Sequence, residues 1–196
     1  MTQIALFGTS ADPPTEGHKA ILRWLSDRYD LVAVWASDNP LKSQQTPLDR
    51  RTTMLQLLLL ELTTPRQNIN LHQELSSPRA IETIEQAREK WGDSVELIFT
   101  LGADLVVQLP RWYRARDFLQ QVELLIVPRQ GYAIAPESLQ QLEHLGGKYK
   151  IADFTPPPVS STAYRDRTQI AAIPAAIEDY IHQEQLYAWQ KAASTR

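Results

Sequence analysis

Two short segments, one near each end of the chain, carry residue types that suit phosphate chemistry. The first, Gly8–His18, reads Gly-Thr-Ser-Ala-Asp-Pro-Pro-Thr-Glu-Gly-His, and its initial glycine would let the backbone approach a ligand closely. Thr15 is a suitable helix cap, and Gly17 leaves the anion-attracting helix N-terminus unobstructed. Thr15 and His18 share one face of the first turn. The pattern predicts an anion site, although an ordinary capped helix with an incidental histidine has the same residues.

The second segment, Val159–Arg165, follows three consecutive prolines. Ser160 or Ser161 can cap the next helix, and Thr162 adds a third hydroxyl beside free backbone N–H groups. Arg165 lies one turn further on, where its guanidinium can bind two phosphate oxygens. The alternative is an ordinary capped helix with an exposed arginine.

Neither segment matches the common nucleotide-binding fingerprints. Both Gly-Lys-Ser/Thr after four variable residues and Gly-x-Gly-x-x-Gly are absent. The chain has no cysteine, which excludes disulfides, thiolate metal sites and a cysteine nucleophile. Its four histidines have no metal-ligand spacing, so we expect no protein metal site. The net charge of −3 argues against a broad nucleic-acid surface but still allows a local pocket for an anionic small molecule.

The composition is typical of a globular protein, with 43% hydrophobic and 22% charged residues, and excludes a wholly disordered chain. The most apolar stretch, Leu57–Leu60, is far shorter than the ~20 apolar residues of a membrane span. No basic stretch precedes an apolar run at the N-terminus, so we expect no secretory signal. We therefore expect a cytoplasmic protein that binds neither membranes nor nucleic acid.

Strand and helix patterns alternate along the chain. Strands are predicted at Gln3–Phe7, Leu31–Ala36, Ile69–Leu71, Val95–Leu101, Glu123–Val127 and Lys150–Phe154. Helices are predicted around Ala20–Leu25 and at Asp49–Leu62, Pro78–Trp91, Arg111–Gln121, Pro136–Leu145, Ser161–Ala171 and Pro174–Leu186. This alternation predicts an α/β, Rossmann-like sandwich with a mainly parallel central sheet and C-terminal helices, forming a single domain over 1–190 before a frayed tail at 191–196.

In such sheets, ligands bind beyond the carboxyl ends of the strands. The loops after Phe7, Thr100 and Phe154 end there, and they lead into the two phosphate-type segments and a Gly-Ala-Asp sequence. The predicted fold therefore brings these loops to one edge of the sheet.

Together, the two segments resemble the nucleotidyltransferase superfamily of adenylyl- and cytidylyltransferases, whose signatures are His/Thr-x-Gly-His and Ser-Ser/Thr-Thr-x-x-Arg. Further stretches, over nearly the whole chain, are similar to the bacterial nicotinate (nicotinamide) mononucleotide adenylyltransferases. These are Gly102-Ala103-Asp104 with Trp112, Asn39-Pro40-Leu41-Lys42 before Asp49-Arg50-Arg51, and Tyr180-Ile181 followed by Leu186-Tyr187. The resemblance implies ATP-dependent adenylyl transfer to nicotinate mononucleotide in NAD biosynthesis, giving deamido-NAD and pyrophosphate.

The resemblance also implies a role for each matching residue. His18 would face the reacting α-phosphate, and Thr15 and Arg165 would be the other catalytic residues. The ATP-binding residues would be Gly8, Thr9, Ser10, Thr15, Gly17, His18, Ser160, Ser161, Thr162 and Arg165. For the mononucleotide, Lys42 would neutralise the phosphate and Asp104 would lie near a ribose. Trp112 would stack on the pyridine ring, and Ala80 would stand at a helix N-terminus that faces the pyridine carboxylate. Mg²⁺ would be bound mainly through the ATP phosphates.

The chain departs from the family pattern in four stretches. Gly8-Thr9-Ser10-Ala11-Asp12-Pro13 stands in place of Gly-Gly-Thr-Phe-Asp-Pro, Thr15 replaces the first histidine of the signature, and Leu41 replaces the histidine of Pro-His-Lys. Ala80 stands where a hydroxyl is usual, so we expect a reduced preference for nicotinate over nicotinamide mononucleotide, with Arg79 nearby but facing the surface.

Two alternatives stay open. One is adenylyl or cytidylyl transfer to another phosphorylated acceptor, such as phosphopantetheine. The other is a catalytically silent nucleotide-binding regulator, against which the intact His18 and Arg165 argue. The sequence also leaves open whether the chain forms a homo-oligomer.

Overall fold

The structure is a computed structural model that describes residues 1–38, 45–167 and 173–187. Within these residues, one parallel sheet has the strand order β3-β2-β1-β4-β5-β6. The strands are β1 (Gln3–Thr9), β2 (Leu31–Ala36), β3 (Ile69–Leu71), β4 (Glu96–Gly102), β5 (Glu123–Val127) and β6 (Lys148–Ile151). The central strands are nearly continuous apolar runs because helices cover both faces of the sheet. The predicted fold class is thereby confirmed.

Helices connect the strands and form a layer on each face of the sheet. They are α1 (Glu16–Arg28), α2 (Leu48–Glu61), α3 (Ala80–Trp91), α4 (Ala115–Leu119), α5 (Pro136–His144), α6 (Ser161–Arg165) and α7 (Ala175–Gln183). Along β1, Ile4 and Leu6 pack against α3, α4 and α5. Ala5 and Phe7 point to the opposite face, against α1, α2, α6 and α7. The sheet thus separates two apolar cores.

The predicted helix at Arg111–Gln121 is wrong over its first half. A 3₁₀ segment at Ala103–Arg111 ends where the predicted helix begins, residues 112–114 form a turn, and only the short α4 (Ala115–Leu119) is α-helical. Pro110 has no N–H to donate, and Arg114 adopts a left-handed φ of 52°. These two residues therefore prevent one α-helix from running through this part of the chain.

Two other predicted boundaries are also corrected. The predicted strand Lys150–Phe154 begins two residues earlier and ends at Ile151, because it follows the register of β5. The predicted helix Ser161–Ala171 is interrupted after α6, where Arg167 has a φ of 61°. The remainder of that prediction and the predicted tail at 191–196 lie outside the described residues.

The strand order creates a crevice between β1 and β4. These strands are neighbours, yet the connections after them leave toward opposite halves of the sheet. Parallel α/β sheets bind their ligands at such a switch point, beyond the carboxyl ends of the strands. The segment that follows β1 contains the first predicted phosphate site, and the segment that follows β4 contains the Gly-Ala-Asp sequence.

Candidate active site

The first turn of α1 is organised by Thr15 and His18. The Thr15 backbone N–H donates to His18 Nδ1 at 3.0 Å, and Thr15 Oγ1 lies 2.8 Å from the same nitrogen. Because a backbone N–H can only donate, Nδ1 is an acceptor, and the proton of the neutral ring resides on Nε2. This pairing is that of a capping box, and it fixes the orientation of the imidazole at the helix N-terminus.

Gly17 lies where α1 meets the loop before the second segment. A Cβ at this position would stand 3.2 Å from Val159 Cγ2 and 3.3 Å from Thr15 Oγ1. Both distances are tighter than ordinary van der Waals contact. The absent side chain therefore lets the two phosphate-type segments pack against each other.

The second segment is hydrogen-bonded directly to the first. Ser160 caps α6, since its Oγ accepts the Ala163 N–H at 3.0 Å. Ser161 Oγ donates to the Pro13 carbonyl at 2.7 Å. Arg165 donates through Nη1 to the Asp12 carbonyl, and its Nη2 lies 3.3 Å from Thr162 Oγ1. The structure thus brings hydroxyls, an imidazole and a guanidinium to one place.

The loop after β1 is bonded to the loop after β2. The Ser37 N–H donates to the Thr9 carbonyl at 2.7 Å. Within the first loop, Thr9 Oγ1 accepts the Ala11 N–H at 3.4 Å, and Ala11 itself is fully buried with a left-handed φ of 48°. The strand predicted at Gln3–Phe7 thus extends to Thr9, so Gly8 and Thr9 pair with β2 in the sheet and only Ser10 lies in the loop.

The predicted mononucleotide residues lie along the segments that follow β4. Asp104 Oδ2 accepts from Arg129 Nη1 at 3.3 Å in a partly exposed ion pair. The Trp112 ring is partly buried and has two aromatic neighbours, with ring centroids 6.3 Å away at Phe99 and 5.7 Å away at Phe118. Trp112 is therefore a core-packing residue, and stacking on a pyridine stays a prediction.

Ala80 is the first residue of α3, and Arg79 occupies the position before it. Arg79 faces the surface, as expected, with Nη1 3.1 Å from Glu82 Oε1 and its guanidinium carbon 4.3 Å above the Tyr113 ring. The hydrogen bond from Ser77, together with Arg79, lowers the pKa of Glu82. Lys42 lies outside the described residues.

Comparison with known proteins decides the family. Residues 6–167 match the model of the cytidylyltransferase-like family. A Synechocystis protein named "probable nicotinate-nucleotide adenylyltransferase" is 39% identical over 197 residues, which cover 94% of this chain and 98% of the relative. This chain belongs to the nicotinate-nucleotide adenylyltransferase family. It is a nucleotidyltransferase whose chemistry is adenylyl transfer in NAD biosynthesis.

Two further comparisons agree with this family. A Bacillus pumilus protein of the same name is 27% identical over 197 residues, covering 95% of this chain and 99% of the relative. The structure of Plasmodium falciparum nicotinic acid mononucleotide adenylyltransferase complexed with NaAD has a TM-score of 0.80 at 20% identity, covering 95% and 98% of the two chains. That match supports the fold, and the family predicted from the two segments is confirmed.

Arg51 of this adenylyltransferase has a structural role that was not predicted. Its side chain is 2% exposed, and Nη1 donates to the carbonyls of Ser10 at 2.9 Å and Ser37 at 2.7 Å. Nε donates to the Thr46 carbonyl at 2.8 Å. Burial lowers the pKa of Arg51, while the Asp12 carboxylate opposes that shift. One buried cation thus holds together three loops beside the site.

A sequence signal for this role exists. Arg51 shares a helical face with Met54, Leu55 and Leu58, all of which are fully buried. A charged residue on an otherwise apolar helix face must find polar partners in the interior. The spacing predicts burial of the guanidinium but not its partners: the Thr46 carbonyl is five residues away, whereas the Ser37 and Ser10 carbonyls are 14 and 41 residues away.

Residues 1–38, 45–167 and 173–187 of this adenylyltransferase contain neither a metal-binding side-chain cluster nor a helix that could span a membrane. No group of three or more histidine, aspartate or glutamate side chains there is arranged to hold a metal ion. None of the helices in those ranges is long and apolar enough to cross a membrane.

Proposed function

We propose that the protein joins ATP to nicotinate mononucleotide. A phosphate oxygen of the mononucleotide attacks the α-phosphorus of ATP, and the bond from that phosphorus to the β-phosphate bridging oxygen breaks. The products are deamido-NAD and pyrophosphate, so atoms and charge balance without a covalent enzyme intermediate. The reaction joins two polyanions, and its main requirements are alignment and charge stabilisation.

One observation carries this proposal: the two signature segments meet at the carboxyl end of β1. His18 Nε2–H is directed away from its Thr15 partner and donates to the α-phosphate, where charge develops during transfer. Arg165, with Ser161 and Thr162 beside it, binds the β- and γ-phosphates. The N-terminus of α1 adds to this anion site.

Magnesium acts together with ATP in this proposal. Mg²⁺ prefers oxygen ligands and retains several waters, so the phosphates of the nucleotide supply most of its coordination. Bound there, the ion neutralises the triphosphate charge. The buried Asp12 carboxylate next to this region is already bonded to Tyr187 and to Thr46, so it is a poor candidate for metal coordination.

The mononucleotide lies on the β4 side of the crevice. Trp112 stacks on the pyridine, Asp104 exchanges its Arg129 partner for a ribose hydroxyl, and Lys42 neutralises the phosphate. The pyridine carboxylate faces the N-terminus of α3 at Ala80. A helix N-terminus favours an anion by about 0.3–1 kcal/mol at an exposed site. One lost neutral hydrogen bond costs about 1 kcal/mol, so Ala80 reduces the acid preference without reversing it.

We also propose that the protein works in the cytoplasm on small molecules. The pyridine nucleotides and ATP are small anions, and binding them requires a local pocket rather than a charged surface. This fits the net charge of −3. A homo-oligomeric form is compatible with this function.

The decisive experiment supplies ATP and Mg²⁺ with one acceptor at a time. The acceptors are nicotinate mononucleotide, nicotinamide mononucleotide and phosphopantetheine, and the readouts are pyrophosphate release and product mass. We expect the highest kcat/KM with nicotinate mononucleotide and measurable turnover of the nicotinamide form. A clear preference for the amide would contradict the role given to the α3 N-terminus. Turnover of phosphopantetheine alone would establish the other acceptor, and nucleotide binding without any turnover would establish a silent regulator.

A further inference from the structure

Tyr187 contacts the first phosphate segment from far along the chain. Its hydroxyl donates to Asp12 Oδ1 at 3.0 Å across 175 positions of sequence. The other carboxylate oxygen, Oδ2, accepts the Thr46 backbone N–H at 3.2 Å. Asp12 is only 4% exposed, so these donors compensate for the loss of water around its carboxylate. Two donors from opposite sides thus fix the orientation of the Asp12 side chain.

The backbone of the same residue meets the second segment. The Asp12 carbonyl accepts from Arg165 Nη1, and the adjacent Pro13 carbonyl accepts from Ser161 Oγ at 2.7 Å. The Asp12–Pro13 unit is therefore where the two phosphate segments are bonded together. A shift of Asp12 would move the carbonyl that orients the Arg165 guanidinium.

The Tyr187 ring has a different partner from the hydroxyl. It packs edge-on against the Tyr164 ring, with centroids 6.2 Å apart and planes at 77°. Tyr164 precedes Arg165, is 1% exposed, and has a pKa that burial, with help from Glu178, raises to about 12. The ring therefore supports α6 by packing, while the hydroxyl acts on the Asp12 carboxylate. Removing the hydroxyl alone leaves the ring packing in place and removes the hydrogen bonds to Asp12 and to the Thr46 side chain.

We propose that the Tyr187 hydroxyl is a positioning group for the ATP phosphate site. By holding Asp12, it sets the direction in which Arg165 presents its remaining N–H donors to the β- and γ-phosphates. This inference rests on the proposed function, in which Arg165 binds ATP. A hydroxyl that only supported the fold would affect both substrates alike, whereas this one acts on ATP and leaves the mononucleotide subsite unchanged.

The test compares Tyr187→Phe with the matched control Tyr180→Phe. The Tyr180 hydroxyl accepts from Arg50 Nη1 at 3.1 Å, away from both phosphate segments. The measurements are KM and kcat for each substrate, the Kd of a non-hydrolysable ATP analogue by calorimetry, and the thermal midpoint. For Tyr187→Phe we expect the KM for ATP and the analogue Kd to rise about five-fold, the effect of one hydrogen bond. The KM for nicotinate mononucleotide stays at the wild-type value, and Tyr180→Phe changes neither.

A double variant tests whether the effect passes through the guanidinium. Once Arg165→Lys has removed that group, adding Tyr187→Phe should not weaken ATP binding further. Additive losses, or equal rises in both KM values with a lowered thermal midpoint, would overturn the positioning role. Unchanged analogue binding in Tyr187→Phe would also overturn it. If the wild type itself turns over no mononucleotide, the proposed function fails, and the calorimetric comparison still decides the role of Tyr187.

Discussion

Replacing Gly8 by alanine tests why a glycine stands near the carboxyl end of β1. A Cβ there would stand 2.6 Å from two indole carbons of Trp35, the residue beside Gly8 in the sheet. Ordinary contact begins at 3.4 Å, so the ring would have to move by about 0.8 Å. Trp35 is 3% exposed in a packed core, which leaves little room for this movement. We expect Gly8→Ala to cost about 2 kcal/mol, a typical overpacking penalty.

The assay is urea and thermal unfolding of four proteins: the wild type, Gly8→Ala, Trp35→Leu and the double variant. A loss of about 2 kcal/mol lowers the midpoint by about 4–8 °C in a protein of this size. Leucine lacks the indole atoms that the new methyl would meet, so Gly8→Ala should cost almost nothing in the Trp35→Leu background. Gly92→Ala is the control, since it introduces backbone strain at a φ of 79° with no atom within 4 Å, and Trp35→Leu should not rescue it.

Additive costs for Gly8→Ala and Trp35→Leu would refute the packing explanation. The same proteins also test the expectation that Gly8 lets the backbone approach a ligand. If packing is its only role, the double variant has the KM for ATP of Trp35→Leu alone. A stable double variant with weak ATP binding would show that the ligand itself needs the glycine.

The remaining predictions concern single side chains of the site. His18→Ala should lower kcat on the order of 10²-fold with an unchanged fold, as expected for loss of one electrostatic donor. The control His144→Ala, at an exposed histidine, should leave kcat unchanged. A normal kcat in His18→Ala would show that His18 takes no part in the chemistry. Arg165→Lys should raise the KM for ATP with little change for the mononucleotide, because an ammonium cannot bind two oxygens in the manner of a guanidinium. A change confined to the mononucleotide KM would mean that the two substrates are assigned the wrong way round. Trp112→Ala should weaken mononucleotide binding by about 1–3 kcal/mol. It should also lower the thermal midpoint, since the ring packs on Phe118. A lower midpoint with unchanged mononucleotide binding would show that Trp112 is a core residue only.

Much of the fold could be predicted because its signals are local. The strands Leu31–Ala36, Ile69–Leu71 and Glu123–Val127 have the predicted bounds, since each is a short apolar run between polar or turn-forming residues. The Thr15–His18 pairing and the Ser160 cap are also local, because each joins residues three apart. No element was predicted at 103–110, because packing against the sheet core decides the geometry of the 3₁₀ segment Ala103–Arg111.

The sequence by itself determined the succession of strands and helices along the chain, the two phosphate-type segments and the family. These follow from the period of apolar residues and from caps and motifs a few residues long, which depend on neighbours in the chain. Only the tertiary structure decided that Trp35 fills the space beside Gly8, that Arg51 holds three loops together, and that Tyr187 bonds to Asp12. Each of these contacts joins residues that lie far apart in sequence, and its partners are chosen by the strand order and the packing of the helix layers. A side chain's chemistry specifies what kind of partner it needs, while the folded sheet specifies which partner is within reach.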